Sequence, residues 1–125
     1  MMKKFTALII SVIIGVVSCV PIASASTNST RSAEVHRVIT KSESYMGTRY
    51  VFGGTSNRGI DCSGLTMDAY KAAGINLPRT STSQYKVGTY TPASRLIPGD
   101  LVFFSFNSRH TVSHVGRVFN PNIFI

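Results

Sequence analysis

A cysteine and a histidine are the residues of this sequence best suited to covalent chemistry. Cys62 lies in residues 60–65, Ile-Asp-Cys-Ser-Gly-Leu, where helical periodicity begins, and His114 lies in residues 113–116, Ser-His-Val-Gly, on a strand-like stretch. A helix N-terminus favours a thiolate, because its free amides and its dipole stabilise negative charge. An imidazole within hydrogen-bond reach can pair with that thiolate and later protonate a leaving amine. The pattern predicts cysteine-nucleophile catalysis, with Cys62 as nucleophile and His114 as base.

The first 25 residues have the pattern of an export signal. Lys3 and Lys4 precede an apolar run over residues 5–17, and residues 23–25, Ala-Ser-Ala, match the small-x-small pattern of a signal-peptidase site. The run is shorter than the roughly 20 apolar residues that a membrane span requires, so we expect no stable span. An alternative uses residues 16–19, Val-Val-Ser-Cys, which resembles a lipobox and would anchor the chain to a lipid through Cys19.

Cleavage after Ala25 would leave Cys62 as the single cysteine, without a partner in a compartment where thiols are oxidised. An unpaired thiol there is a liability unless it has a role. The alternative is a buried core thiol, because free cysteine is among the most buried residue types.

The charge of the chain bounds its partners. The formal net charge is +8, and the basic residues are scattered rather than clustered. Such a distribution suits an anionic wall polymer or a membrane surface and gives weak grounds for nucleic-acid binding, which we do not expect. Residues 26–32 are small and polar and are predicted to be a disordered leader. The 100 residues that remain after removal of residues 1–25 suffice for one small domain, predicted over residues 33–125, that buries roughly 60–65% of its unfolded surface.

Helical and strand patterns indicate how the two reactive residues are positioned. A helix is expected over residues 32–46, a second from Cys62 to Gly74, and a third that begins with a capping box at residues 81–84 and ends near Gly88. A short strand or an extended segment is expected at residues 50–52, and strands are expected at residues 101–104 and 112–119. His110 and His114 lie four apart, and on a strand such side chains are separated by roughly 13 Å, so no metal site is expected. No cofactor is expected either.

Five sequence blocks, taken in order, resemble the successive motifs of the NlpC/P60 family. They are residues 47–54, 61–65, 77–81 with Gln84, 98–104 and 113–116, and the resemblance covers about residues 33–125. A CHAP-type amidase also uses cysteine and histidine on a related fold, but the blocks at 79–81 and 98–104 fit NlpC/P60 better.

The resemblance implies a papain-like α+β fold, in which N-terminal helices pack on an antiparallel sheet that carries the histidine. It implies a secreted or wall-associated cysteine endopeptidase that hydrolyses peptidoglycan stem peptides at the D-γ-glutamyl–diamino acid bond. Cys62 would be the nucleophile and His114 the base, and the substrate cleft would be lined by Tyr50, Asp61, Ser63 and Arg79.

Each cleft residue also has a structural reading. Tyr50 could be a packing aromatic, Asp61 an N-cap for the helix that begins at Cys62, and Arg79 a surface ion-pair partner. If Tyr50 does lie at the site, it is a candidate oxyanion donor beside the backbone amide of Cys62, where one such donor can be worth roughly 3 kcal/mol of barrier.

Members of the family carry a third polar residue, usually histidine, on the strand after the first histidine, and this position falls immediately beyond Ile125. The sequence therefore leaves three hypotheses open. The chain is a wall endopeptidase with activity reduced by C-terminal truncation and the loss of the last strands, a catalytically inactive peptidoglycan-binding module, or a truncated product that does not fold stably.

Overall fold

The computed structural model describes residues 2–4, 24–106, 108, 111–120 and 123–124 of the chain. The described helices are α1 (Ser24–Glu43), α2 (Cys62–Lys71) and α3 (Ser81–Val87). The described strands are β1 (Met2–Lys4), β2 (Thr55–Ser56), β3 (Gly59–Ile60), β4 (Thr89–Tyr90), β5 (Leu101–Phe104), β6 (His114–Asn120) and β7 (Ile123–Phe124), and a short 3₁₀ turn spans Ala93–Arg95. Within these ranges, no helix combines the length and the apolar character that a membrane crossing demands.

The larger sheet has five antiparallel strands in the order β4-β1-β5-β6-β7. In the central pair, Phe103 lies opposite Val115 and Phe104 lies opposite His114. A two-stranded hairpin of β2 and β3 lies just before α2 in the chain. Helix α1 packs on α2, and α2 packs on β6, so the predicted α+β architecture with helices on an antiparallel sheet is confirmed.

Apolar side chains from both layers form one core. Its buried members are Val38, Ala69, Tyr70, Leu77, Leu101, Phe103 and Val115. Leu101 and Phe103 alternate along β5, as the two-residue period of a strand requires, and their shared face meets the helices. The nucleophile's helix and the histidine's strand are therefore fixed against each other by a single core.

Several predicted elements are confirmed, with shifted ends. The strand at residues 101–104 has the predicted bounds, and the strand predicted at 112–119 begins at His114. The second helix stops at Lys71, and Gly74 follows in a turn at φ 79°. Of the short strand or extended segment expected at residues 50–52, the strand does not form, because only Tyr50 forms a bridge, with Ile60, and a turn follows.

The capping box predicted at residues 81–84 is displaced by one position. Thr80 is the N-cap of α3, and its side-chain oxygen accepts a hydrogen bond from the amide of Ser83. Gln84 is fully buried and bonds to other segments instead. Thr80 and Ser81 are both good cap residues, so local sequence alone does not choose between them.

The N-terminal region differs from its prediction. Residues 26–32, predicted as a disordered leader, are helical, because α1 begins at Ser24. Most of the export signal predicted over residues 1–25, including Cys19, lies outside the described residues, and the signal stays a prediction. Of this segment the structure describes β1, which pairs with both β4 and β5, and the first two residues of α1.

Candidate active site

Cys62 is the first residue of α2 and is half-buried. The preceding residue, Asp61, has an extended backbone, and its Oδ1 accepts a hydrogen bond from the amide of Gly64 at 2.7 Å. This cap ends the extended segment and starts the helix at the cysteine. The predicted placement of Cys62 at a helix N-terminus is therefore what the structure has.

The cysteine and the histidine line one cleft of about 220 Å³. Tyr50 and Asp61 also line it, and most of its remaining wall is apolar, with Tyr45 and Leu65 among the contributors. The two reactive side chains predicted from separate motifs are thus brought together in space. An apolar wall beside them limits water and strengthens electrostatic interactions within the cleft.

His114 begins β6 at the edge of this cleft. Its ring lies 6.1 Å from the ring of Phe104 and 6.2 Å from that of Phe106, measured between centroids. No hydrogen bond joins the imidazole to Cys62 Sγ within the part of the chain that the structure describes. Catalytic hydrogen bonds are often long in the absence of substrate and tighten in the complex, so this geometry is compatible with a catalytic pair.

Tyr50 places its hydroxyl beside the thiol. The Tyr50 oxygen lies 4.0 Å from Cys62 Sγ, although 61% of the tyrosine surface is exposed. Desolvation of the hydroxyl and the neighbouring thiol raise the pKa of Tyr50 above its usual value. The phenol therefore stays protonated near neutral pH and is available as a hydrogen-bond donor at the site.

Asp61 and Arg79 form a bidentate ion pair next to Cys62. Arg79 Nη1 donates to Asp61 Oδ1 at 2.9 Å and Nη2 donates to Oδ2 at 2.7 Å. The amide of Gly53 also donates to this carboxylate, at 2.8 Å. Burial opposes ionisation of Asp61, but the bonds from Arg79, Gly64 and Gly53 outweigh it, so the pKa of Asp61 lies below its usual value.

Ser63 joins the same network, since its hydroxyl accepts a hydrogen bond from Arg79 Nη1 at 2.9 Å. Asp61 and Ser63 are buried. The structural readings of Asp61 as an N-cap and of Arg79 as an ion-pair partner are therefore realised, while Tyr50 lies at the thiol rather than in the core. Substrate contact by Tyr50, Asp61, Ser63 and Arg79 stays a prediction.

Two features of the site were not predicted from the sequence. Met46 falls at the end of the helix expected over residues 32–46, but α1 ends at Glu43, and Met46 lines the cleft and is 82% exposed. Gln84 was predicted as a capping residue, but it bonds to the helix that carries Cys62. No sequence signal marks Met46, whereas the Arg79-to-Gln84 block does mark a segment with a role near the cysteine.

Within the described ranges, no three histidine, cysteine, aspartate or glutamate side chains converge in a way that could hold a metal ion. His110, for which no metal role is expected, lies outside the described residues.

A model of the family described as NlpC/P60 matches residues 47–125. The probable endopeptidase p60 of Listeria monocytogenes is 43% identical over 79 residues, which are 63% of this chain and 16% of that protein. The gamma-DL-glutamyl hydrolase of Bacillus subtilis is 42% identical over 81 residues, 63% of this chain and 20% of that protein. The chain therefore spans a fifth or less of the length of these two relatives.

Solved structures share the fold. RipD from Mycobacterium tuberculosis, described as a non-catalytic NlpC/p60 domain protein adapted to peptidoglycan binding, has a TM-score of 0.60 and 28% identity. The alignment covers 69% of this chain and 74% of that chain. The proteins that this chain resembles thus include some named as hydrolases and one described as a peptidoglycan-binding protein without catalytic activity.

Proposed function

The chain belongs to the NlpC/P60 family, and we propose that it is a cysteine endopeptidase acting on peptidoglycan stem peptides. The observation that carries the proposal is the shared cleft, which holds Cys62 at a helix N-terminus together with His114 and the Tyr50 hydroxyl. The matched relatives bear names of peptidases and glutamyl hydrolases, which supports hydrolysis of an amide bond.

In the proposed reaction, the Cys62 thiolate attacks the carbonyl carbon of the scissile amide and forms a tetrahedral intermediate. The Cys62 amide, and the Tyr50 hydroxyl where it reaches, donate to the oxyanion. His114, protonated as its partner becomes thiolate, gives its proton to the leaving amine as the C–N bond breaks. Water, deprotonated by His114, then hydrolyses the thioester and restores both side chains.

The proposed bond is the one between D-γ-glutamate and a diamino acid. The name of the Bacillus subtilis relative supports a γ-linked glutamyl substrate. We further propose export through the signal at residues 1–25 and action at the cell wall. A lipid anchor through Cys19 is the alternative route to the same compartment. The net charge of +8 falls to +6 when Lys3 and Lys4 leave with the signal, because 11 basic and 5 acidic residues remain, and this charge supports attraction to an anionic wall polymer.

The test is release of the γ-linked dipeptide from a synthetic stem peptide. The wild-type chain should release it, whereas Cys62→Ala and His114→Ala should each abolish release while circular dichroism shows an intact fold. Lys71→Ala, on the exposed end of α2 and away from the cleft, serves as the control and should retain activity. Release by the Cys62→Ala chain at the wild-type rate would refute the proposal.

A second candidate function is peptidoglycan binding without turnover. It is favoured by the lack of a hydrogen bond between Cys62 and His114 in the described residues and by the non-catalytic description of RipD. This function predicts that the wild-type chain sediments with purified peptidoglycan and releases no peptide. It also predicts that Cys62→Ala leaves that sedimentation unchanged.

A further inference from the structure

Gln84 is a buried amide of α3 that the proposed reaction does not use. Its side chain has no exposed surface. Its Nε2 donates to the carbonyl oxygens of Ser63 at 3.0 Å and Pro78 at 2.9 Å, and its Oε1 accepts from Thr66 Oγ1 at 2.8 Å. Because both amide hydrogens meet carbonyl oxygens, only one orientation of the amide satisfies every group.

Two of these three partners belong to the start of α2. Ser63 follows Cys62 directly, and Thr66 Oγ1 lies 3.3 Å from the carbonyl oxygen of Cys62 and 3.1 Å from that of Ser63. On the same turn, Arg79 donates to the Ser63 hydroxyl. Residues of the segment 78–84 therefore bond to the main-chain carbonyl of Ser63 and to the side chains of Ser63 and Thr66 on this turn.

These hydrogen bonds hold the first turn of α2, and a terminal turn has fewer backbone hydrogen bonds of its own than the helix interior. The first turn of a helix lacks internal partners for its amides and tends to fray. A side chain on that turn inherits any displacement, and a misplacement of about 1 Å at a reacting group can cost a hundredfold in rate. Gln84 does not line the cleft, so its influence on the reaction passes through α2.

We propose that Gln84 is a positioning residue, which fixes the first turn of α2 so that Cys62 Sγ is held in the cleft beside His114. The proposal rests on the proposed function of Cys62 as nucleophile. It assigns Gln84 no contact with substrate. Loss of its bonds should lower the reactivity of Cys62 and kcat while leaving KM nearly unchanged.

The first variant is Gln84→Met, which keeps the length of the side chain and removes its three hydrogen bonds. The full chain is used, with Cys19→Ser so that Cys62 is the single thiol. We expect iodoacetamide alkylation of Cys62 and kcat to fall on the order of tenfold. Val38→Ala, a core change in α1 outside the cleft, is the control for lowered stability and should leave alkylation of the folded protein near wild type.

The second variant, Gln84→Glu, has almost the same shape and supplies a readout that a purely structural role would not move. When protonated, the introduced carboxyl can still donate one hydrogen bond, whereas its ionised form would face the carbonyls of Ser63 and Pro78 with negative charge. Burial and these oxygens should raise its pKa above the usual value of about 4.3. Relative to wild type, alkylation should therefore be best at acidic pH and fall as pH rises through that pKa.

A selective loss of alkylation and kcat in Gln84→Met, with the acid rescue in Gln84→Glu, supports the proposal. Wild-type alkylation in both variants overturns it, and so does an equal loss in Val38→Ala. If Gln84→Met does not fold, the pH profile of Gln84→Glu decides alone. A wild-type chain that alkylates rapidly but releases no dipeptide refutes the proposed endopeptidase, and the alkylation comparison still decides the role of Gln84.

Discussion

At the scale of single residues, the Asp61 carboxylate connects three parts of the site. It caps α2 through the amide of Gly64, holds the turn at Gly53 and pairs with Arg79. Its side chain is largely buried, so water solvates the negative charge poorly and these hydrogen-bond donors stabilise it instead. The ion pair thus stabilises both the helix start and the loop in front of it.

This arrangement predicts how stability varies with pH. The pKa of Asp61 is lowered in the folded chain, so its stabilising contribution is present above the free value of about 3.9 and is lost as pH falls through the folded value. We expect Asp61→Asn to melt at a lower temperature than wild type at pH 7 and to lose less stability between pH 5 and pH 2. Melting curves across this range make the comparison.

Asp68→Asn is the matched control for that experiment. Asp68 also has a lowered pKa, because Tyr45 donates to it, but it does not line the cleft. It should reduce the acid dependence of stability without affecting peptide release. An Asp61→Asn chain whose melting temperature falls with acid as steeply as that of wild type would contradict the role assigned to Asp61.

The sequence identified Cys62 and His114 because each lies in a short motif at the start of an element. The network around them could not be predicted in the same way. Asp61 and Arg79 are separated by 18 residues, and their pairing depends on how α2 and the segment before α3 approach each other. The position of Met46 at the cleft wall likewise depends on the path of the turn that follows α1.

At the scale of elements, α2 approaches the turn at residues 53–54 very closely. A Cβ at Gly64 would lie 2.5 Å from the carbonyl oxygen of Gly54, which is a backbone atom with little freedom to move. Alanine has a higher helix propensity than glycine by about 1 kcal/mol, but the clash opposes this gain. The glycine at this position therefore serves packing rather than helix formation.

We expect Gly64→Ala to lower the free energy of unfolding by about 2 kcal/mol, because α2 must shift away from the turn. Chemical denaturation measures the change, and Lys71→Ala on the exposed end of the same helix is the control. A more stable Gly64→Ala chain would show that the turn yields easily and that helix propensity decides.

Arg117 is a charged residue on the core face of β6, where the other buried side chains are apolar. Strand alternation places it opposite Leu101 on the core side, and it is 2% exposed. Within the described residues, its Nε and Nη2 have no hydrogen-bond partner, and burial lowers the pKa of its guanidinium. A period-two pattern predicts an apolar residue here, so the sequence pattern predicts the strand but not this charge.

Replacing this buried cation with an apolar side chain should stabilise the fold. A buried charge that lacks full pairing costs stability, and replacement of buried charged groups by apolar side chains is often neutral or stabilising. We expect Arg117→Leu to melt at a higher temperature than wild type, while Arg95→Leu at an exposed position leaves melting nearly unchanged. A lower melting temperature for Arg117→Leu would mean that the ring of Phe119 and other neighbours stabilise the cation adequately.

In the molecule as a whole, the described residues near each end of the chain contribute a strand to one sheet, in which β5 and β6 separate β1 from β7. β1 lies between β4 and β5, so β4 joins the sheet through its pairing with β1. Such a pairing joins residues that are far apart in sequence, and no local pattern marks it. The helices and the central strands could be predicted from periodicity, whereas this strand order could not.

The same placement predicts that removal of the predicted export signal changes stability. A chain of residues 26–125 lacks β1, so β4 loses this pairing and one edge of β5 is left open. We expect this shorter chain to melt at a lower temperature than the chain of residues 1–125. Equal melting temperatures would show that β1 contributes nothing to the stability of the sheet.

We propose that the helix N-terminus and His114 together activate the Cys62 thiol in the cleft. The direct measurement is the rate of iodoacetamide alkylation at pH 7 in the folded Cys19→Ser chain, compared with a free model thiol and with the same chain carrying His114→Ala. We expect Cys62 to react faster than the model thiol and the loss of the imidazole to slow it. A rate at or below that of the model thiol, unchanged by His114→Ala, would contradict it.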